Sequence, residues 1–180
     1  GGRQLFSVGE NIVHPAHGAG TVVGVQEQEL VEGYEKYFVI RFADKRLTVR
    51  VPQQRLDDAG LRPVMGKSKC TEVFDLLGDL PQQLPSDFKA RRRAVEKLIQ
   101  SGRPLKIAEA VRELAWRREV KRLNKADSEL YAQARDLLIQ EMALAMDMEQ
   151  EAVNEQIQQA LERAVQAKTE SLADEDAKKN

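Results

Sequence analysis

Basic side chains are concentrated in one part of this 180-residue chain, and their chemistry is the binding of negatively charged groups. Residues 86–125 contain 13 Lys and Arg against five Asp and Glu, although the net charge of the whole chain is only −1. Residues 126–180 reverse the balance, with five basic and 13 acidic side chains. Because Lys and Arg that neutralise phosphates release condensed counterions, a nucleic-acid backbone is the expected partner of residues 86–125. The alternative is a solvated helix face.

Two histidines, His14 and His17, raise the question of a metal site. A strand and turn that carry two His and no nearby Cys or carboxylate provide too few ligands for zinc, so a structural role is favoured. The sequence contains no P-loop, nucleophile elbow, paired catalytic carboxylates or dinucleotide fingerprint. We therefore expect no enzymatic activity, no metal, no cofactor and no small-molecule substrate.

The composition indicates a globular protein that works in the cytoplasm. Apolar residues make up 42% and charged residues 32% of the chain, which is typical neither of a disordered nor of a membrane protein. No apolar run approaches the roughly 20 residues of a membrane helix, and no secretion signal is evident. The single Cys70 excludes an internal disulfide and is interpreted as a small buried hydrophobe. We expect a monomer without membrane contact.

The first third of the chain has the pattern of short β-strands. Residues 8–25 follow a strand, turn, strand pattern, and residues 37–42 form a further β-rich stretch. In residues 47–52, apolar side chains alternate with Thr48, Arg50 and Pro52, so these three are predicted on the solvent face, and Pro52 indicates an edge strand. The sequence predicts a small Tudor-like or SH3-like β-barrel over residues 1–66.

The remainder is predicted to be an all-α domain of four to five helices over residues 67–167, which makes the protein α+β. Ser86 is the predicted N-cap of a helix that ends at Gly102, and Pro104 suits the first turn of the next helix. Two capping arrangements, Asn124 with Asp127 and Asp147 with Gln150, open two further helices. The small, polar and charged residues 168–180 are expected to form a disordered tail.

Four segments, in order along the chain, carry a resemblance to a known family. They are VGENIVHPAHGAGTVVGV at 8–25, LTVRVP at 47–52, AGLRPV at 59–64 and VRELAWRR at 111–118. With this order and spacing the chain resembles the CarD/CdnL family of bacterial transcription regulators over residues 6–165. A similar polymerase-binding domain occurs in the transcription-repair coupling factor, but this chain has no helicase motifs.

The resemblance implies a function in transcription initiation. A Tudor-like domain would bind the β subunit of RNA polymerase, and a helical domain would contact promoter DNA beside the upstream edge of the melted region. The family is not enzymatic and stabilises the open promoter complex, often at ribosomal RNA promoters.

The resemblance also implies contact residues. Arg50, Pro52 and Ile40 fall in the region that the family uses to bind polymerase, and for Arg50 and Pro52 the strand alternation independently predicts a solvent-facing position. Ile40 shares its parity with Phe38 and Phe42, so core packing is equally consistent with the pattern.

In the helical domain, the family places a Trp wedge at the start of the basic helix, where this chain has Phe88. An exposed Phe88 could stack on bases, whereas the helical spacing to Val95 and Ile99 is equally consistent with burial. The consecutive residues 91–93 cover more than half of the helix circumference, so at least one Arg must point away from DNA. The candidate DNA-contacting residues are Phe88, Lys89, Arg91, Arg92, Arg93, Lys97, Arg118, Lys121, Arg122 and Lys125.

A second hypothesis remains open. The protein could be a protein-only adaptor, whose basic surface meets an acidic partner or its own acidic C-terminal half. Salt dependence distinguishes the two hypotheses, because only DNA binding weakens with salt in proportion to the number of phosphates contacted.

Overall fold

The computed structural model describes residues 6–42 and 46–180. The chain divides into two compact units between Met65 and Gly66. The first is a sheet unit and the second a helical unit, as the α+β fold class predicted from the sequence requires. Among the described residues, no helix combines the length and apolar character needed to cross a membrane.

The sheet unit contains five antiparallel strands in the order β4-β3-β2-β1-β5. The strands are β1 (Asn11–His14), β2 (Gly18–Val31), β3 (Tyr34–Phe42), β4 (Leu47–Pro52) and β5 (Arg62–Pro63), and a 3-10 helix follows β4 at Gln53–Arg55. Within the described ranges, β4 and β5 are the two edges of the sheet. The strands surround one apolar core, formed mainly by Phe6, Ile12, Val22, Phe38, Ile40, Phe42, Val51, Leu56 and Leu61.

The hairpin of β2 and β3 is longer than the apolar pattern indicated. β2 continues through the polar residues 26–29 as far as Val31, and Gly33, with φ +88°, forms the turn into β3. Glu is depleted in strands, and the apolar alternation ends before this stretch, so no local pattern indicated the extension. Pairing with β3, interrupted by register shifts, nevertheless continues from Thr21 to Val31.

The two histidines stabilise the turn between β1 and β2. The Nδ1 atom of His14 accepts hydrogen bonds from the backbone amides of Ala16 at 3.0 Å and His17 at 3.3 Å. The two imidazole rings lie 4.5 Å apart and pack near Phe42. These contacts agree with the structural role that was favoured for the pair.

The helical unit contains α1 (Lys67–Gly78), α2 (Phe88–Gln100), α3 (Pro104–Val120), α4 (Lys125–Met146) and α5 (Gln150–Lys179). Apolar residues at helical spacing on α3, α4 and α5 are buried, among them Ile107, Val111, Leu114, Ala134, Leu138, Val153, Ile157 and Leu161. Cys70 is also buried, and burial, together with the nearby charge of Glu141, raises the pKa of its thiol. The interpretation of Cys70 as a small buried hydrophobe is therefore confirmed.

Three of the predicted helix ends are confirmed. Asn124 is the N-cap of α4, and its Oδ1 accepts a hydrogen bond from the amide of Asp127 at 2.7 Å. Pro104 begins α3. Gly102 follows the end of α2 with φ +67°, a conformation that suits glycine because it has no Cβ.

Two predicted caps are wrong. Asp87, not Ser86, caps α2, because the carboxylate of Asp87 accepts a hydrogen bond from the amide of Ala90 at 2.8 Å. Asp147 does not open α5 but ends α4, with φ +52°, in the left-handed region that Asp tolerates better than most residues. The N-cap of α5 is Glu149.

The expected disordered tail is also wrong. α5 continues through residues 168–179 as far as Lys179. This stretch contains no Gly or Pro, and Thr169 bonds back to the carbonyl of Val165 at 2.8 Å. Polar composition signalled disorder, but residues without strong helix breakers extend a helix that packing has already formed.

Two glycines of β2 provide a matched test of packing in the sheet unit. A Cβ at Gly20 would lie 2.7 Å from Cδ1 of the buried Phe42 and 2.8 Å from the carbonyl of Arg41, whereas a Cβ at Gly24 meets nothing within 4 Å. We expect Gly20→Ala to lower the free energy of unfolding by about 1–3 kcal/mol through overpacking. Gly24→Ala should leave it unchanged or raise it by up to about 1 kcal/mol. Urea unfolding of both variants measures the difference, and equal effects would contradict this account of Gly20.

Candidate nucleic-acid interface

The faces of α2 are set by a single buried row. Arg91, Val95 and Ile99 recur every four residues and are the buried residues of this helix. Lys89, Arg93 and Lys97 form a second row that begins two residues earlier, so this row lies about 200° away around the axis. All three of its side chains are exposed. Three of the candidate DNA-contacting residues therefore form one row on the solvent side of α2, an arrangement that suits a phosphate backbone.

Phe88 is the first residue of α2 and is 58% exposed. The alternative in which Phe88 packs into the core together with Val95 and Ile99 is therefore wrong. The reason is that Arg91, three residues later, occupies the inner position of the first turn. An exposed aromatic ring at a helix start, next to exposed cations, is accessible to a partner with a flat apolar face.

Arg91 is buried. Its side chain is 3% exposed, and its Nε lies 3.0 Å from Oδ2 of Asp127, which is itself 1% exposed. The assignment of Arg91 to DNA binding is therefore corrected, because a buried and paired guanidinium cannot reach a phosphate. The prediction that one Arg of residues 91–93 must point away from DNA is confirmed.

The exposed Arg92 pairs with Glu96 one turn further along the helix. The Nε atom of Arg92 lies 2.8 Å from Oε1 of Glu96, with the Arg92 side chain 60% exposed. Exposed pairs of this kind contribute little to stability because water and salt screen them, so Arg92 remains available to a competing anion.

A second basic cluster lies where α3 ends and α4 begins. The exposed side chains of Arg118, Lys121, Arg122 and Lys125 line an open cleft of about 850 Å³, together with Ser128 and Tyr131. The guanidinium of Arg118 lies 5.1 Å from the centre of the Tyr131 ring, which orders one cation of the cluster. The candidate DNA-contacting cations near the end of α3 therefore line one cleft.

Sequence reasoning missed the buried acid that connects these elements. Asp127 was interpreted only as the partner of the Asn124 cap, whereas its carboxylate also faces Arg91 and lies 3.8 Å from Nε of Arg117. One signal was available. Arg91 stands on the apolar row of α2, and a charge on such a row requires a buried partner of opposite sign.

The sheet unit presents a different surface at the edge strand β4. Arg50 is exposed, and its Nε donates a hydrogen bond to Oε1 of Gln26 in β2 at 2.8 Å. Because β3 lies between these strands, the side chain extends across the outer face of the sheet. Pro52 is half-buried at the end of the same strand. The solvent-facing position predicted for Arg50 is confirmed.

Ile40 does not lie at the surface, so its assignment to polymerase binding is corrected. It is 0% exposed and belongs to the core of the sheet unit, where it pairs with Val22 on one side and Val49 on the other. Its parity with Phe38 and Phe42 was the better guide to its position, because alternate residues of a strand face the same side.

Both units of the chain resemble domains of known proteins. Residues 6–65 match the model of the CarD-like/TRCF RID domain, and residues 72–158 match that of the CarD C-terminal domain. The "Putative transcription factor YdeB" of Bacillus subtilis (strain 168) is 30% identical over 140 residues, which cover 77% of this chain and 90% of that protein.

A sheet unit of the RID type followed by a CarD-type helical unit defines a CarD-like transcription factor. The chain belongs to the CarD/CdnL family. Its activity is therefore transcription regulation, and its first domain is of a type that interacts with RNA polymerase.

The different surroundings of Arg91 and Arg93 lead to opposite expectations for stability. Arg91→Ala leaves Asp127 buried beside a gap, and breaking a buried pair in this way costs about 3–5 kcal/mol of unfolding free energy. Arg93→Ala, two residues away on the exposed row, should change it by less than about 0.5 kcal/mol. Urea unfolding followed by circular dichroism measures both. Similar losses for the two variants would show that Arg91 is not the buried partner of Asp127.

Proposed function

We propose that this protein binds the β subunit of RNA polymerase through its sheet unit and promoter DNA through its helical unit. The DNA contact lies beside the upstream edge of the melted region, and its effect is to stabilise the open promoter complex, including at ribosomal RNA promoters. The protein acts in the cytoplasm as a monomer, without a catalytic activity or cofactor of its own.

The observation that carries this proposal is a set of exposed cations that the chain itself does not neutralise. Among the ion pairs of the described residues, Lys89, Arg93, Lys97, Lys121 and Arg122 do not occur. The acidic C-terminal residues, which could have neutralised them, form no such pair within the described ranges. Exposed and unpaired cations favour an external polyanion over internal neutralisation.

The edge strand β4 supports the polymerase contact. An exposed edge can accept a partner strand through main-chain hydrogen bonds, and side chains on its outer face then provide specificity. Arg50 lies on that face and is held by Gln26, so little side-chain entropy is lost when it meets a partner. Pro52 ends the strand and limits the length that a partner strand can pair.

Phe88 supports the contact with melted DNA. Stacking of a base on an aromatic side chain contributes about 1–3 kcal/mol, and the 58% exposed ring needs no rearrangement to reach a base. Because polymerase delivers the promoter to the helical unit, weak intrinsic DNA binding is sufficient. The exposed cations then hold the backbone without reading sequence.

Open-complex lifetime tests the proposal directly. With the cognate polymerase at a ribosomal RNA promoter, the wild-type chain should lengthen the lifetime and Arg50→Glu should abolish the effect, because it reverses the charge at the polymerase contact. Phe88→Ala should shorten the lifetime about five- to 150-fold relative to wild type, the equivalent of one stacking contact. Lifetimes are measured by challenge with a competitor.

Matched controls separate these effects from general damage. Arg62→Glu reverses a charge on β5, at the opposite edge of the same sheet, and Leu80→Ala removes an exposed apolar side chain outside the basic row. Both should behave as wild type. If the wild-type chain leaves the lifetime unchanged, the promoter-opening function is wrong.

Salt dependence distinguishes DNA binding from the adaptor alternative. Affinity for a promoter duplex should fall with the logarithm of salt concentration, and Lys97→Ala should reduce that slope by about one unit. Lys69→Ala, on α1 and paired with Glu72, should leave the slope unchanged. Fluorescence anisotropy between low and moderate salt provides the measurement. Absence of DNA binding even at low salt would favour the adaptor.

A further inference from the structure

The backbone that leads into Phe88 has no regular secondary structure. Residues 80–87, between α1 and α2, lie in neither helix nor strand, so their carbonyls need partners other than a helical ladder. Arg91 provides two of these partners. Its Nη1 donates hydrogen bonds to the carbonyl of Pro85 at 3.2 Å and to that of Ser86 at 2.9 Å. The guanidinium thus holds the chain two to three residues before the exposed ring.

The guanidinium is itself fixed from the other side. Its Nε donates to Oδ2 of Asp127 at 3.0 Å, and both side chains are buried. Asp127 cannot follow a shift of α2, because its own amide is bonded to the side chain of the cap residue Asn124 at 2.7 Å. A planar guanidinium with three hydrogen bonds in fixed directions has little freedom to rotate.

We infer that Asp127, acting through Arg91, is a positioning residue for Phe88, and that this connection determines how the exposed ring meets melted DNA. The inference rests on the proposed function and deepens it by naming residues that do not touch DNA. The physical path is continuous. It runs from the carboxylate of Asp127 through the Arg91 guanidinium to the Pro85 and Ser86 carbonyls, and from there through the Asp87 cap to the first turn of α2.

The variant for this test replaces both charges together. Removing one partner leaves a buried charge and destabilises the protein for reasons unrelated to Phe88, whereas exchange of both partners for apolar residues is often neutral for stability. The side chain of Arg117, whose Nε lies 3.8 Å from the same carboxylate, is 18% exposed and is therefore not left as a fully buried charge. Arg91→Met combined with Asp127→Leu removes the hydrogen bonds to Pro85 and Ser86 and keeps side-chain volume.

The control is a second buried pair of the same kind. Arg112 and Glu113 lie 2.7 Å apart, and they bond to the carbonyl of Leu76 and the amide of Gln82, not to residues 85–88. Arg112→Met combined with Glu113→Leu therefore removes an equivalent pair and frees the amide of Gln82, but it leaves the hydrogen bonds to the carbonyls of Pro85 and Ser86 in place.

Amide hydrogen exchange of the full-length protein is the first measurement. In the Arg91→Met and Asp127→Leu variant, exchange at the amides of residues 90 and 91, which are bonded to Asp87, should accelerate about tenfold or more relative to wild type, because the segment that carries Asp87 loses its charge-assisted hydrogen bonds. In the Arg112 and Glu113 variant these amides should exchange as in wild type. Unchanged exchange in the first variant would overturn the inference.

Open-complex lifetime is the second measurement. It tests whether the effect of Phe88→Ala depends on the presence of Arg91 and Asp127. Phe88→Ala should shorten the lifetime in the wild-type background. In the Arg91→Met and Asp127→Leu background, Phe88→Ala should change the lifetime by less than about twofold, because the ring is already misplaced. A merely structural role would give additive losses. Full additivity would therefore overturn the inference even if exchange accelerates.

The remaining outcomes are also informative. If the wild-type chain does not lengthen the lifetime, the proposed function fails and the DNA part of this inference fails with it, while exchange still decides whether Asp127 and Arg91 hold the segment. If the double variant is unfolded by circular dichroism, Arg91→Lys replaces it. Lysine keeps the charge beside Asp127 but lacks the planar fork, so the amides of residues 90 and 91 should again exchange faster.

Discussion

The buried ion pair between Arg91 and Asp127 is the interaction on which the candidate interface depends. Charge is costly in a protein interior unless it is paired and hydrogen-bonded, so each partner requires the other. By turning Arg91 inward, the pair determines which side of α2 carries the exposed row of Lys89, Arg93 and Lys97. By lying in the first turn of α4, Asp127 also brings Arg117, at the end of α3, to the same carboxylate. Three helix ends therefore meet at one buried oxygen.

The two units expose surfaces of different chemistry. The sheet unit exposes the edge of β4, where main-chain groups are available and Arg50 is already ordered by Gln26. The helical unit exposes cations that have no carboxylate partner among the described residues, and it places Phe88 at the start of the basic helix. An ordered edge favours one specific protein contact, whereas exposed cations favour any phosphate backbone. This difference between the two units agrees with membership of a family of transcription factors that carry an RID-type domain.

Sequence reasoning was most successful where one local rule acted alone. Alternation placed Arg50 outside on β4, and glycine marked the end of α2. It failed where two local rules competed. Asp147 had the spacing of an N-cap but ends α4 in the left-handed region, and the polar residues after Lys168 continue a helix because nothing in them breaks it.

The sequence by itself determined the two-part organisation, the segregation of basic residues into 86–125 and the family, because these depend on composition, period and motif order along the chain. Only the tertiary structure decided which of the consecutive arginines is buried, that Phe88 is exposed and that Ile40 is not. Those positions depend on a contact between Arg91 and Asp127, and on pairing among β2, β3 and β4. Residues far apart in sequence make these contacts, so the local patterns were consistent with more than one arrangement and did not decide between them.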